Sequence, residues 1–402
     1  MHFCVIPATP VAAVGQTPDM DDANPEADDQ ADDQADNQSS DQSDDHAGPD
    51  TPTPVALTHE HEITEPVQLC LPGGTQLNPA ARGWSRVPLH DCNLSGTPGR
   101  KKRWDYWAVL TPTHALSVTY ADVDYLGITD VWWVDLRTGR TGGRNRSIPG
   151  GVGVSLPDRP GTEPLRSAAK HQVLDLTDEP GGTRLSAAWT EADGTAASLD
   201  VFVELANGHE SLNVVIPWND ELFQFTSKHQ ARPAHGTLTI GDEVTPIGTD
   251  EHGDAAPAWG VLDVGRGRWP YETRWNWGGG AGVANTGAVI GIQIGAKWTE
   301  GTGFTENGII VDGRLSKLGS ELTWTYDWDH PMSPWHVVDP SGRMDLTLTP
   351  TFDKHTVVDA KVMGTEVHQV FGTWCGTVVD DDGRAFTVDG ALGFAEESRS
   401  RW

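Results

Sequence analysis

Short runs in which apolar and polar residues alternate recur through the chain from residue 62 onward. A period of two is typical of half-buried β-strands, and the glycine, proline, aspartate and asparagine residues between the runs are typical of turns. Helical periodicity is nearly absent, and residues 220–228 are the best candidate for a helix. The pattern predicts an all-β fold in which antiparallel sheets form barrels or sandwiches. The clearest predicted strands cover residues 115–121, 130–136, 198–205, 211–216, 288–295, 307–311, 321–326, 344–349 and 370–379.

Two parts of this β region carry similar motifs. His-Gln at 229–230 is followed by Arg-Gly-Arg-Trp at 266–269, and His-Gln at 368–369 is followed by Arg-Ser-Arg-Trp at 399–402. The echo fits a duplication and fits coincidence equally well. We divide the chain into a tail at 1–57, a first β domain at 58–271 and a second β domain at 272–402.

The first 57 residues differ in composition from the rest. They hold 13 acidic residues and no lysine or arginine, and the stretch from 17 to 54 has no aromatic residue. Such a sequence buries too little apolar surface to offset the entropy lost on folding. We predict a disordered acidic tail, which is either a solubilising segment or a docking segment.

The charge and the apolar runs exclude several classes of partner. The formal net charge is −30, of which the 345 residues after the tail carry −17. Nucleic acids and anionic membrane surfaces select clustered lysine and arginine, so neither is an expected partner. No run of 18 apolar residues occurs, which argues against a membrane-spanning helix. The first residues lack the basic segment of an export signal, so we expect a cytoplasmic protein.

Motifs for cofactors and metals are missing from the sequence. It contains no phosphate-binding loop, no dinucleotide-binding glycine motif after a strand, no serine-nucleophile motif and no His-Glu-x-x-His motif. The four cysteines are too few and too scattered for a disulfide framework. A zinc site at His90 and Cys92 would need Cys70 and a further ligand. We therefore expect no cofactor and no metal.

Tryptophan is the outlier of the composition, with 17 residues, several of them in pairs or near-pairs. Indoles fill cores, but they also suit ligand sites because each offers a large apolar face and one N–H donor. Trp132 and Trp133 are adjacent on a predicted strand and must point to opposite faces, so one of them faces solvent, a partner layer or a cavity. The expected ligand-binding indoles are Trp104, Trp107, Trp275 and Trp277.

The densest group of polar residues lies in a glycine-rich segment at 295–314. Glu300 and Glu306 flank two of its glycines, Gly301 and Gly303, and Asn307 follows directly. A turn through these glycines would bring both carboxyl groups to one opening, where a desolvated carboxyl group can act as an acid or a base. The alternative is a tight loop whose side chains cap backbone N–H groups.

Further candidates lie among basic residues and histidines. Arg103 belongs to a run of four basic residues that either receives an anionic group or pairs with neighbouring acids. Asp105 lies among aromatic residues, so its carboxylate must form an ion pair or lie at the mouth of a cavity. His336 is the preferred general base, and His229 and His368 are candidate binding residues, with a structural role as the alternative.

These stretches resemble the uncharacterised family catalogued as domain of unknown function 2804. The matching segments are LNPAARGWSRVPLHDCNL at 77–94, GRKKRWDYW at 99–107, GAKWTEGTGFTENGIIVDGRLSK at 295–317, SPWHV at 333–337, HQVFGTWCG at 368–376 and ESRSRW at 397–402. At the level of the fold, the layout is similar to two-domain lipocalin-like proteins that include carotenoid hydratases and pericyclase-type enzymes. The resemblance implies two lipocalin-like β domains that hold a large apolar molecule, and it assigns no catalytic residue.

These features favour a protein that binds or transforms an apolar small molecule, such as a lipid or isoprenoid, in a tryptophan-lined β cavity. One alternative is a carbohydrate-active protein with Glu300 and Glu306 as its carboxyl pair. The other is a non-catalytic binding or structural module. In an enzyme with such a cavity, acid–base chemistry would come from Glu300, Glu306, Asp105 and His336.

The acidic excess predicts adaptation to a salt-rich cytoplasm. Aspartate outnumbers glutamate by 39 to 19, and arginine outnumbers lysine by 20 to 8. Salt screens the repulsion within such a surface, because the Debye length falls to roughly 3 Å at 1 M salt. We therefore expect reversible loss of structure in dilute buffer and a melting temperature that rises with KCl. Circular dichroism melts from low to multimolar KCl measure this, and a melting temperature independent of salt would contradict it.

Overall fold

The computed structural model describes residues 58–96, 99–250, 252–359 and 364–401, and the predicted tail at 1–57 lies outside them. Strands dominate these residues, and one 3-10 turn at Pro79–Ala81 interrupts them. In the described part of the chain, no helix has the length and apolar character that a membrane span requires.

The chain forms its strands in two groups. The strands up to residue 268 are β1 (Val67–Gln68), β2 (Trp84–Ser85), β3 (His90–Asp91), β4 (Lys101–Leu110), β5 (His114–Asp122), β6 (Leu126–Asp135), β7 (Thr141–Pro149), β8 (Leu165–Ala169), β9 (Gln172–Glu179), β10 (Gly182–Thr190), β11 (Ala196–Glu204), β12 (Leu212–Pro217), β13 (Phe223–Ile240), β14 (Glu243–Ile247) and β15 (Trp259–Arg268). The strands from residue 272 are β16 (Glu272–Val283), β17 (Val289–Ala296), β18 (Asn307–Val311), β19 (Arg314–Leu318), β20 (Thr323–Thr325), β21 (Trp335–Val338), β22 (Met344–Asp359), β23 (Gly364–Val379) and β24 (Ala385–Arg401).

Two curled antiparallel sheets, each a half-barrel, account for nearly all of these strands. The first sheet follows the order β7-β6-β5-β4-β15-β13-β11-β10-β9-β8, with β2, β12 and β14 attached beside this path. The second follows the order β19-β18-β17-β16-β24-β23-β22-β21-β20. The prediction of an all-β fold with antiparallel sheets is confirmed. The division into domains at 58–271 and 272–402 stays a prediction.

The two sheets share one strand order around their centres. β4 to β7 form a meander, β15 pairs with β4, and β13 pairs with β15. In the second sheet β16 to β19 form the meander, β24 pairs with β16, and β23 pairs with β24. The strand with the Arg-x-Arg-Trp motif, β15 or β24, therefore has equivalent partners in both sheets. The two His-Gln motifs do not occupy equivalent positions relative to these strands. In the second sheet Gln369 of the motif lies opposite Glu396, whereas in the first sheet Lys228, which directly precedes the motif, lies opposite Asp263.

The best candidate for a helix, residues 220–228, does not form one. Phe223 begins the 18-residue strand β13, and residues 223–232 are all buried. A strand with both faces buried lacks the alternation of a half-buried strand, so its apolar spacing resembled that of a helix. A register shift between His229 and Arg232 divides this strand. Its first part pairs with β12 and its second part with β11 and β14.

Aromatic side chains pack where the sheets face each other. Trp132 and Trp133 point to opposite faces of β6, as the strand period predicts. Trp133 is buried in the core of the first sheet. Trp132 stacks on Phe371 of the second sheet, with 5.6 Å between the ring centroids. Of the three alternatives for the outward-facing indole, namely solvent, a partner layer and a cavity, the structure supports the partner layer for Trp132.

Gln230 joins the two sheets through hydrogen bonds. Its side chain is fully buried, and its Nε2 donates to Oε1 of Gln293 at 3.0 Å. Its Oε1 accepts a hydrogen bond from the backbone N–H of Gly280 at 3.1 Å. Buried polar groups of this kind are costly when they lose a partner, because no water replaces it.

We expect Gln230→Ala to lower the free energy of unfolding by about 1–3 kcal/mol, because it leaves the buried N–H of Gly280 without its side-chain acceptor and removes one of the two hydrogen bonds that Oε1 of Gln293 accepts. Gln68→Ala is the matched control: its amide hydrogen bond to Asp91 is exposed, so its loss should cost less than about 0.5 kcal/mol. Urea unfolding measures both variants. Equal stability of the two variants would contradict the role of Gln230.

Candidate functional site

A cavity of about 300 Å³ lies between the two sheets. Strands β4, β5, β6, β13 and β15 contribute one wall, and β16, β22, β23 and β24 contribute the other. Exposed Thr356 and half-buried Val367 and Ile128 mark the side on which solvent reaches it. Its lining residues are Trp104, Tyr106, Thr119, Ala121, Val123, Ile128, Thr226, Lys228, Asp263, Trp269, Trp275, Trp277, Trp298, Glu306, Lys354, Thr356, Val367, Gln369 and Glu396.

Three indoles in this lining donate their N–H groups to three buried carboxyl groups. The donor–acceptor distances are 2.9 Å for Trp104 and Asp263, 2.7 Å for Trp275 and Glu396, and 2.6 Å for Trp298 and Glu306. Each indole thus presents its ring to the cavity and satisfies a carboxyl oxygen with its only donor. The cavity combines apolar faces with oriented acids.

Two glycines make room for these side chains. A Cβ at Gly265 would lie 2.2 Å from the ring of Trp104, and a Cβ at Gly295 would lie 2.0 Å from Oε1 of Glu306. Such distances are far below van der Waals contact, so a side chain at either position would displace the indole or the carboxyl group. The glycines of β15 and β17 therefore belong to the construction of the cavity.

Lys228 is the cation at the centre of the polar group. Its Nζ lies 2.8 Å from Oδ1 of Asp263 and 3.3 Å from Oε2 of Glu306, and 4.4 Å from the ring centroid of Trp277. Burial opposes the charge of Lys228, but the two carboxylates outweigh burial and raise the pKa of Lys228. Burial raises the pKa of Glu306, and Lys228 opposes this rise. Lys228 therefore stays charged and links acids from both sheets.

Glu396 is the acid of the cavity without an adjacent ion pair. Burial raises its pKa to about 7, although the hydrogen bond from Trp275 and the charge of Lys228 oppose the rise. Its cross-strand neighbour is the neutral Gln369, which accepts a hydrogen bond from the hydroxyl group of Tyr106 at 3.2 Å. A carboxyl group with this pKa exchanges its proton near neutral pH, as a general acid or base must.

The structure brings four of the sequence-predicted site residues to the cavity: Trp104, Trp275, Trp277 and Glu306. Glu300 is exposed and does not line it. The structure therefore does not bring Glu300 and Glu306 to one opening. Asn307 donates to the carbonyl oxygen of Ser320 and accepts from the N–H of Gly295. For Asn307, the loop with backbone-capping side chains is the alternative that these contacts support.

Arg103, Asp105 and Trp107, the other candidate residues in and near the basic run, do not line the cavity and contact residues of the part of the chain that contains strands β1 to β15. Asp105 accepts a hydrogen bond from Arg266 at 2.7 Å in a buried ion pair. Burial raises the pKa of Asp105, and Arg266 opposes the rise. Arg103 pairs with Asp158 at 2.8 Å and donates to backbone carbonyl groups. Trp107 is buried in the core beneath the guanidinium of Arg232, which lies 5.1 Å from the ring centroid.

The three predicted histidines do not line the cavity. His336 is half exposed and pairs with Asp345 at 2.8 Å.

His229 is buried and contacts Oγ of Ser227 at 3.0 Å. Burial, together with the charge of Arg232, lowers the pKa of His229 well below its usual value. His368 pairs with Asp353 on the other face of the strands that line the cavity.

Sequence reasoning missed Lys228, Asp263 and Glu396. The repeated motif did contain a signal, because an acidic residue precedes the first arginine of Arg-x-Arg-Trp by three positions in both copies. These acids are Asp263 and Glu396. In a strand, positions three apart lie on opposite faces, so the acid points away from the side of that arginine. No pattern marked Lys228, because its partners come from distant segments.

These residues define an all-β protein with a tryptophan-lined internal cavity between two sheets. A family model described as a domain of unknown function (DUF2804) matches residues 60–402. The chain belongs to this family, as its motifs predict. A sequence search of curated proteins gave no match.

Two solved structures are similar in overall layout. One is a protein from Nitrosomonas europaea assigned as AttH, with 13% identity, a TM-score of 0.44, and coverage of 74% of this chain and 92% of the other. The second is kievitone hydratase from Nectria haematococca, with 12% identity, a TM-score of 0.46, and coverage of 74% and 88%. Both TM-scores are below 0.5, so neither match assigns chemistry to this chain.

The raised pKa of Glu396 predicts a pH-dependent stability. Between its usual value of 4.5 and about 7, the folded protein holds a proton that the unfolded chain has released. This group's contribution to stability is therefore full below about pH 4.5 and is lost as pH rises through about 7, at up to about 1.4 kcal/mol per pH unit. Glu396→Gln should flatten this slope in urea unfolding measured across the range. Glu300→Gln, an exposed control, should not; a wild-type slope in Glu396→Gln would refute the assignment.

Proposed function

We propose that this protein binds an apolar small molecule in the tryptophan-lined cavity and exchanges a proton with it through Glu396. The observation that carries the proposal is that one cavity combines five indoles with a carboxyl group, that of Glu396, whose pKa is about 7. The ligand class is lipid-like or isoprenoid-like, of a size that about 300 Å³ accommodates at least in part.

The lining supports an apolar ligand. Trp104, Trp269, Trp275, Trp277 and Trp298 supply flat apolar surface, and the N–H groups of all five donate to protein acceptors. Their hydrogen-bonding capacity is already used, so the indoles offer the ligand mainly their apolar faces. A ligand rich in hydroxyl groups would find few free donors on these rings.

The charges support proton exchange at Glu396. Apart from the phenol of Tyr106, the ionisable lining groups are two lysines, Lys228 and Lys354, and three acids, Asp263, Glu306 and Glu396. With Glu396 protonated and the other four groups in their usual charge states, the lining charges balance, while burial lowers the pKa of Lys354 and raises that of Glu306. The carboxyl proton passes to the ligand, the carboxylate that remains is stabilised by Trp275, and solvent or the product returns a proton to it. General acid–base catalysis of this kind contributes roughly 10²–10⁴-fold to a rate.

The alternatives fare differently. The hypothesis of a carbohydrate-active protein relied on Glu300 and Glu306 as a carboxyl pair, but Glu300 does not line the cavity. A non-catalytic binding module remains compatible with the cavity and differs from our proposal only in the role of Glu396. The experiments must therefore separate binding from proton transfer.

Binding is tested with the neutral fluorescent probe N-phenyl-1-naphthylamine. We expect the probe to brighten and to quench the indole emission of the wild-type protein. Val367→Trp fills the open side of the cavity and should weaken binding by about tenfold or more, which corresponds to about 1.4 kcal/mol. Val357→Trp is the matched control, because Val357 is exposed on the neighbouring strand and does not line the cavity. Equal affinities for the two variants would contradict binding in this cavity.

Proton transfer is tested with an apolar extract of the host cells in D₂O. We expect the wild-type protein and Glu300→Gln to incorporate solvent deuterium into an apolar compound, as seen by mass spectrometry. Glu396→Gln should bind N-phenyl-1-naphthylamine normally and incorporate at least about 100-fold less deuterium. If the wild-type protein binds the probe but incorporates no deuterium, the hypothesis of proton transfer is refuted and the hypothesis of a non-catalytic binding module is supported.

We also propose that the protein works in a salt-rich cytoplasm without nucleic acid as a partner. The support is the charge of −30 and the preference for aspartate and arginine. The KCl dependence of the melting temperature tests the first part.

A further inference from the structure

A second group of chemistry-bearing side chains lies on the other face of the strands that line the cavity. His355 of β22 and His368 of β23 are directly opposite each other in the antiparallel register. Their imidazole rings stack with 4.1 Å between centroids and 5° between planes. One potential ligand atom each from His355, Glu366 and His368 lies within 4.8 Å of the other two. Antiparallel pairing thus brings three side chains that can bind a metal ion, two imidazoles and one carboxylate, to one place.

The group has the supporting contacts of a metal site. Nδ1 of His368 donates to Oδ2 of Asp353 at 2.7 Å, which leaves Nε2 as the nitrogen with a free lone pair. A carboxylate that orients the second nitrogen of a ligating histidine is a regular feature of zinc sites. Nε2 of His355 lies 3.1 Å from Oε1 of Glu366. A metal ion would take the place of the proton that joins this pair.

The surroundings fix the orientation of His368. The ring of Trp328 packs edge-on against it, with 4.5 Å between centroids. The guanidinium of Arg399 lies on Trp328 and donates to Glu397 at 2.8 Å, so its charge is committed elsewhere. The second carboxylate oxygen of Asp353 is buried and accepts no hydrogen bond within the described residues. An acid in this state is stabilised when the imidazole beside it carries a bound cation.

The cluster is accessible to an ion. The side chains of His355 and Glu366 are 44% and 43% exposed, whereas those of His368 and Asp353 are 10% and 16% exposed. One side of the cluster is therefore fixed by packing, and the other can close around an ion from solvent. The coordination position that these three ligands leave would be filled by water.

We propose that His355, Glu366 and His368 form a binding site for a divalent transition metal ion of the zinc class, with Asp353 as the positioning residue of His368. Two imidazoles and one carboxylate suit zinc, cobalt or nickel, whereas calcium and magnesium prefer oxygen ligands alone. The sequence predicted no metal, because His355 and His368 are 13 residues apart and only the hairpin pairing of β22 and β23 brings them together. The ion would pin these two strands, whose other face forms the open side of the cavity.

The test uses untagged full-length protein that has been treated with chelator and dialysed, at about pH 7.5, where free imidazole is neutral. Titration with Co²⁺ should give visible d–d absorption that saturates at one equivalent, and one equivalent of Zn²⁺ should abolish it. Zn²⁺ should also raise the melting temperature, because it binds the folded state. Absence of both the absorption and the stabilisation would overturn the proposal.

Variants separate this site from adventitious binding. His355→Ala and Glu366→Gln change half-exposed side chains, so the fold should survive, and both should lose the Co²⁺ absorption and the Zn²⁺ stabilisation. His336→Ala is the matched control, because His336 also pairs with an aspartate across two strands, and it should keep both signals. Asp353→Asn should weaken Co²⁺ binding by about 10–100-fold while keeping the absorption band, as expected for a positioning residue. Equal Co²⁺ binding by the wild type and His355→Ala would overturn the site.

Discussion

The buried ammonium group of Lys228 is the interaction on which the cavity depends. It lies between Asp263 of the first sheet and Glu306, which directly precedes β18 of the second sheet. Removing one partner of a buried ion pair leaves an uncompensated charge, which costs far more than the pair contributes. The three groups therefore require one another. Because each acid is also held by an indole N–H, the ion pairs fix two of the rings that give the cavity its apolar walls.

The shared strand order gives the two sheets equivalent acids with different neighbours. Asp263 and Glu396 each lie three residues before the arginine motif, and each accepts an indole N–H from the adjacent strand. Lys228 lies opposite Asp263, whereas the neutral Gln369 lies opposite Glu396. Burial raises the pKa of Glu396 to about 7, and the neutral Gln369 opposite it supplies no positive charge against this rise. The polarity of the cavity follows from this asymmetry.

The strands β22 and β23 serve two environments at once, because alternate residues of a strand point to opposite faces. Lys354 and Gln369 line the cavity, and their chain neighbours His355 and His368 form the outer cluster. The hairpin thereby connects the proposed metal site with the open side of the proposed ligand site.

The sequence by itself determined the strands, their antiparallel arrangement and the abundance of indoles, because period-two patterning and turn residues act locally. It named Trp104, Trp275, Trp277 and Glu306, which the structure brings to one cavity, but not Lys228 or Glu396, and its best candidate for a helix falls largely on β13. Which charges meet depends on register and on the packing of one sheet against the other. Only the tertiary structure decided that Glu300 faces solvent while Glu306 faces Lys228, because a burial of this kind is set by contacts between residues far apart in the chain.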